Sequence, residues 1–228
     1  MPSLRESIWK WPDGLAWRVT RGVHESQRAA RYRLFLDLAR PEPNETILDV
    51  GVTDATFLSA NYLERAYPHR DRITALGVES LGKFAAAFPT VRLVQGDGRA
   101  LPFSDGAFDI VYSNAVIEHV GSREDQTRFL AEMVRVARRC VFLATPNRWF
   151  PVDTHTMLPL VHWTSPASRS WMYRKLGRQY WASEDNLNLL SAPELRALAH
   201  RLPVSTYSVL NQHFLGMPSV LILFAQKL

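Results

Sequence analysis

Cysteine is nearly absent: Cys140 is the only one in 228 residues. That excludes an internal disulfide framework and any multi-cysteine zinc site. Cys140 precedes the apolar run Val141–Ala144, so a buried structural thiol is expected there rather than a nucleophile. Long hydrophobic runs are missing as well. The longest, Val220–Ala225, falls far short of the roughly 20 residues that a membrane span needs. The first residues include Arg5, Glu6 and Lys10 and show no apolar leader pattern, so a soluble cytoplasmic protein without a transmembrane segment is expected. Charge of one sign is not concentrated either. The 27 Lys+Arg and 22 Asp+Glu leave a formal +5, scattered in pairs such as Arg138–Arg139. A dedicated nucleic-acid binder carries a denser basic stripe, so no nucleic-acid partner is expected. The G-x-G-x-x-G fingerprint is also lacking, which counts against a nicotinamide enzyme.

What is present is a globular composition, 46% hydrophobic and 21% charged, without repeats or low-complexity tracts. Helix is expected over 24–40, ended by Pro41, over 55–66 with Thr53 or Asp54 as N-cap, and around 81–88. Short apolar strands are expected over 46–50, 73–78, 91–94, 108–112 and 140–145. Ser122-Arg-Glu-Asp125 and Ser191-Ala-Pro-Glu194 read as capping boxes opening two further helices. The chain closes with strand-like runs over 204–210 and 219–226, joined through Gly216 and Pro218 and suited to an antiparallel pair. Strands alternating with helices imply an α/β fold, a largely parallel sheet with helices on both faces. The chain reads as one domain over 1–228, with an N-terminal aromatic segment at 1–23 and an aromatic insertion at 146–190.

Open α/β sheets bind ligands at the carboxyl ends of their strands. Those ends here carry Asp49 and Gly51, Glu79, Asp97 and Gly98, Asn114, and Asn147. Each has a purely structural alternative. Asp49 suits a turn, Glu79 the neighbourhood of a helix N-cap, Asp97 an Asx turn, and Gly51 a position of positive φ. Their joint appearance at successive strand ends favours a ligand site.

The motifs Asp49-Val-Gly51, Glu79, Gly96-Asp-Gly-Arg-Ala-Leu-Pro-Phe103 and Phe108-Asp-Ile-Val-Tyr-Ser-Asn-Ala-Val-Ile-Glu-His-Val120 resemble the class I S-adenosylmethionine-dependent methyltransferases, closest to the methyltransferase type 11 group. The resemblance covers roughly residues 30–145. It implies a Rossmann-like seven-stranded, mostly parallel sheet with an antiparallel C-terminal hairpin strand. It implies S-adenosyl-L-methionine as cofactor and transfer of a methyl group to a small-molecule substrate. By the same resemblance Gly51 lets the backbone approach the methionine portion, Asp49 holds the glycine loop, Glu79 accepts from the ribose hydroxyls, and Asp97 accepts from the adenine amino group. The Gly98 amide would meet an adenine nitrogen, and the backbone near Asn114 the methionine ammonium. One departure stands out: Thr53 occupies the place of the family's second glycine. It keeps open an alternative, a catalytically silent cofactor-binding domain with a regulatory or scaffold role.

On the substrate side, His119 and His155 are the acid–base or substrate-orienting candidates, with Asp153 able to orient His155; both histidines also admit a structural reading. No metal constellation stands out. Trp149, Trp163, Trp171 and Trp181 fall in the insertion, and Trp9, Trp11 and Trp17 near the start. A substrate lid favouring an aromatic, lipid-like or glycan-linked acceptor is expected, with a satellite core or a homodimer contact as alternatives.

Overall fold

Five short apolar segments line up as neighbouring strands in the computed structural model, which describes residues 15–55 and 60–227. In chain order the elements are α1 (Leu15–Ala39), β1 (Ile47–Val50), α2 (Tyr62–Ala66), β2 (Ile73–Gly77), α3 (Gly82–Ala87), β3 (Arg92–Gln95), β4 (Phe108–Asn114), α4 (Arg123–Val136), β5 (Ala137–Pro146), α5 (Pro166–Lys175), α6 (Ala192–Ala199), β6 (Thr206–Phe214) and β7 (Met217–Gln226). The strands form one sheet in the order β3-β2-β1-β4-β5-β7-β6. The first five run parallel, and β7 is antiparallel to both β5 and β6. Chain direction across the sheet reverses between β1 and β4, which opens a crevice at their carboxyl ends.

Both faces of the sheet are covered, and strand periodicity explains how. In β5, Val141 and Leu143 join Phe129, Leu130 and Met133 of α4 and Leu195 of α6 on one face. Cys140, Phe142 and Ala144 point to the other face, against Phe35 of α1 and Phe84 of α3. A strand buried on both sides needs no polar alternation, hence its continuous apolar run. Cys140 is fully buried, and burial pushes its thiol up to about 11. It is a core residue, as expected.

Ser122 caps α4 as its sequence indicates: the Asp125 N–H donates to Ser122 Oγ at 3.2 Å, and the Asp125 carboxylate accepts from the Ser122 N–H at 3.1 Å. At Ser191 the Glu194 carboxylate accepts from both N–H and Oγ, at 2.7 and 2.6 Å.

Three expectations need adjustment. Helix α1 begins at Leu15, nine residues before the expected start. The aromatic texture of that stretch hid the helix, and Gly22 is carried inside it with no neighbour within 4 Å of where a Cβ would stand. The helix expected over 55–66 is regular only over Tyr62–Ala66, with Phe57 and Leu58 outside the described residues. Its N-cap is Asn61, not Thr53 or Asp54: Asn61 is left-handed (φ 47), and its amide bonds the Thr53 backbone instead. The C-terminal strands run right up to a two-residue turn, Leu215-Gly216, with φ 50 and 78. Two successive positive φ values suit the twist of a tight hairpin, so Pro218 lies within β7 rather than in the turn.

Candidate functional site

The loop after β1 sets the geometry at the centre of the carboxyl edge. Gly51 has φ 104, and its N–H donates to Leu76 O at 2.8 Å. A Cβ at this position would collide with the side chain of Val116. Both facts require glycine. Thr53, by contrast, is exposed and has no positive φ. Its N–H and C=O are held by the Asn61 side chain at 3.1 and 2.7 Å. The backbone there does not demand the second glycine, and the threonine side chain does not fill the loop.

Asp49, at the end of β1, is buried beside the fully buried Glu64 of α2. Burial and then the Glu64 charge push the Asp49 carboxyl well above its usual range, while Arg28 pulls the other way. Burial also raises Glu64, against the opposing effects of a backbone hydrogen bond and then of its bond to Asp49. Two such carboxyls share a proton rather than both ionising.

Glu79 is exposed just past β2. Asp97, past β3, forms the Asx turn: its Oδ1 accepts from the Arg99 N–H at 2.8 Å, and the Arg99 guanidinium binds the same carboxylate at 2.7 Å. The bond from Arg99 holds the Asp97 carboxyl below its ordinary value. Gly98 packs so closely that a Cβ would strike the Phe129 ring.

Asn114 ends β4, and its Oδ1 accepts from Arg31 Nη1 at 2.5 Å. Arg31, only 7% exposed, also donates through Nε to Gln212 Oε1 of β6 at 3.0 Å. Arg28, one helical turn earlier, faces Tyr112, Asp49 and Glu118 electrostatically, and burial lowers its pKa. Burial likewise brings Arg31 down to about 10. Sequence reasoning missed both arginines by treating the positive surplus as scattered. Their three-residue spacing, which puts them on one face of a helix, was the usable signal.

His119 and His155 do come together. Their rings meet edge to face with centroids 4.7 Å apart, and both lie against Trp181 at 5.8 and 5.3 Å. Between them sits Glu118, which is fully buried. Its Oε1 is 3.6 Å from His155 Nε2 and 3.9 Å from His119 Nε2, while Oε2 accepts from Thr145 Oγ1 at 2.9 Å. His155 Nδ1 binds Asp153 at 3.0 Å, which realises the expected orienting pair, and His119 Nδ1 donates to Asn186 O at 2.7 Å. Burial alone would lower His155, but the pull of Asp153 and then of Glu118 raises it to about 9. Glu118 is raised by burial, yet His155 and His119 outweigh that and hold it below its usual value. Glu118 was visible in sequence only as part of a motif; besides the adjacent His119, its partners Thr145 and His155 lie 27 and 37 residues away.

The aromatic insertion divides in two. Trp181, 6% exposed, joins the fully buried Tyr173 with Leu187 and Leu189 in a satellite core. Trp149, Trp163 and Trp171 remain 52, 38 and 62% exposed. Trp149 and Trp163 rings stand 5.9 Å apart, with the Arg148 guanidinium 5.6 Å from the Trp149 centroid. The returning chain is stitched to the site: the Asn188 N–H donates to Glu118 O at 2.8 Å, and Asn188 Nδ2 to Gly121 O at 2.9 Å. Trp17 lies on α1, while Trp9 and Trp11 lie outside the described residues. No helix among the described residues is long and apolar enough to cross a membrane.

The donor set along this edge fits S-adenosylmethionine: carboxylates at three adjacent strand ends match hydroxyl, amino and ammonium donors, and two buried guanidiniums match a carboxylate. Comparison with known proteins agrees with that chemistry. Residues 48–144 match the family model described as a methyltransferase domain. A demethylmenaquinone methyltransferase of Renibacterium salmoninarum is 29% identical over 144 residues, 59% of this chain and 58% of that protein. An uncharacterised 37.1 kDa transposon protein of Streptomyces fradiae is 27% identical over 132 residues, 56% of this chain and 36% of that one. The chain thus spans little more than half, or less, of the curated relatives it matches. Among solved structures, the magnesium protoporphyrin IX methyltransferase of Synechocystis with bound S-adenosylhomocysteine aligns with TM-score 0.58 at 12% identity, over 98% of this chain and 92% of that one. A methyltransferase of Mesorhizobium loti aligns with TM-score 0.58 at 15% identity, over 84% and 95%. By strand order, by motif and by the match over residues 48–144, the chain is similar to the class I S-adenosylmethionine-dependent methyltransferases and shares their fold.

Proposed function

We propose that the chain methylates a small-molecule acceptor with S-adenosylmethionine bound along the carboxyl ends of β3, β2, β1 and β4. The observation that carries this reading is the spatial order of the polar strand ends: Asp97, Glu79, Asp49 with Gly51, then Asn114, on four neighbouring strands. Strands about 4.8 Å apart make that row about 14 Å long, room for a nucleoside joined to an amino acid. Asp97 and the Gly98 amide take the adenine, Glu79 the ribose hydroxyls, and the Gly51–Thr53 loop and Asn114 the amino-acid end. Arg28 and Arg31 supply the counter-charge for its carboxylate. A cationic ammonium beside Asp49 and Glu64 favours the fully ionised pair, so the protein gives up a proton there on binding. When bound, S-adenosylmethionine supplies an electrophilic methyl group. The protein's part is alignment and the exclusion of water.

His119, His155 and Trp181 face the acceptor. His155, held between two carboxylates, and His119, tied to Asn186 O, orient the acceptor. Trp149 and Trp163 act as a lid edge. The Renibacterium relative's name specifies a lipid-like quinone precursor and the Synechocystis one a porphyrin. Both favour a flat, apolar acceptor, as do the exposed tryptophans.

The test is release of S-adenosylhomocysteine with a panel of phenolic, quinol and porphyrin acceptors. Turnover with one of these classes is expected. A folded protein that binds the cofactor yet releases no product with any of them contradicts the enzyme reading and favours a cofactor-binding regulatory domain.

A further inference from the structure

We infer that Glu118, His119 and His155 form a binding site for one divalent transition-metal cation. One donor atom from each residue lies within 4.8 Å of the other two. Ligands about 2.1 Å from a common metal, at tetrahedral angles, stand about 3.4 Å apart. The 3.6 and 3.9 Å from Glu118 Oε1 to the two Nε2 atoms are therefore close to ligand spacing.

The surroundings of each ligand point the same way. Glu118 Oε1 is fully buried, and the two histidine Nε2 atoms stand before it at 3.6 and 3.9 Å, beyond ordinary hydrogen-bond length, where either an imidazolium or a shared metal cation balances its charge. Its other oxygen is fixed by Thr145. Asn186 O can only accept, so His119 carries its proton on Nδ1 and directs the Nε2 lone pair toward Glu118. Asp153 likewise holds a proton on Nδ1 of His155, so a cation that binds there displaces only the Nε2 proton facing Glu118. A carboxylate or carbonyl behind the distal nitrogen is how metal-ligating histidines are oriented and made more basic. Asp153 is in turn locked by the Thr156 N–H and Oγ1, at 3.1 and 2.6 Å.

Two imidazoles and one carboxylate suit zinc, manganese, iron or cobalt rather than calcium or magnesium. Three protein ligands leave at least one position open, the form of a site that takes a ligand oxygen. Resting on the proposed function above, that open position would receive a hydroxyl or carbonyl oxygen of the acceptor. The cation site itself stands on the geometry alone.

The experiment is titration of chelator-stripped protein with Co2+ and with Zn2+, followed by calorimetry and by the visible absorption of bound cobalt. One cation per chain is expected, with the melting temperature rising as metal is added. His119→Ala, compared at equal folded content by circular dichroism, should loosen binding at least about tenfold and change the cobalt spectrum, as should Glu118→Gln. Folded protein that binds no metal stoichiometrically, or variants that bind as wild type does, overturns the inference. S-adenosylhomocysteine titrated into the stripped protein separates the two readings. Cofactor binding without metal binding refutes the cation site alone, and metal binding without cofactor binding refutes the proposed function alone.

Discussion

His155 is held by two carboxylates against the cost of its own burial, and that balance makes stability depend on pH. Its folded pKa of about 9 lies above the 6.5 of the unfolded chain. Protonation therefore favours the fold: the contribution is complete below pH 6.5 and is lost as pH rises through 9. A gap of that size is on the order of 3 kcal/mol. With metal chelated, denaturant unfolding should show stability falling between pH 6.5 and 9, and His155→Gln should flatten the fall. An equal fall in that variant would contradict the ion-pair geometry. Gly51 offers a second test at this scale. Gly51→Ala must adopt φ 104 and meet Val116, and should cost about 2 kcal/mol by denaturant unfolding. Val116→Ala in the same chain should recover part of that loss, because it removes the collision but not the strain. Thr53 carries no such constraint, so Thr53→Gly should leave stability within about 0.5 kcal/mol.

Among the elements, α4 shows how local chemistry and packing reinforce each other. Its first turn is closed by Ser122 and Asp125, and its inner face buries Phe129, Leu130 and Met133 against β4 and β5. Ser122→Ala removes the side-chain acceptor for the Asp125 N–H and should cost about 1 kcal/mol in thermal or denaturant unfolding. A neutral result would mean that packing alone sets the helix start. What was legible in sequence follows the same division. The core strands and α4 were readable because continuous apolar runs and a capping box each have one economical interpretation. The start of α1 was not, because Trp17 and the arginines around it obscure the helical period. The beginning of α2 was not either: Asn61 works through a left-handed backbone and a bond to Thr53, which no periodicity announces. The strand-end residues Asp49, Gly51, Glu79, Asp97, Gly98 and Asn114 were legible because the alternation of elements puts them on one edge. Arg28, Arg31, Glu64 and Glu118 became visible only when the fold brought them to that edge.

Across the whole molecule, the sheet and the aromatic insertion carry separate cores joined at the Glu118 cluster. Tyr173, fully buried, anchors the smaller one with Trp181. Tyr173→Ala should loosen residues 146–190, seen as faster limited proteolysis there, with a loss of roughly 3–5 kcal/mol in that unit. Cofactor affinity should change by less than about threefold, because the carboxyl ends of β1 to β4 lie in the larger core. A parallel collapse of cofactor binding would show the two units to be one. The most direct test of the whole reading is calorimetric titration of the protein with S-adenosylmethionine and S-adenosylhomocysteine, beside Asp97→Ala and Glu79→Ala. Both residues are surface-accessible at the carboxyl edge, so the variants should fold. Micromolar binding is predicted, weakened at least about tenfold by either substitution, the scale of one lost hydrogen bond to a charged group. Folded protein that binds neither ligand, or variants that bind as tightly as wild type, would contradict a cofactor site along these four strands.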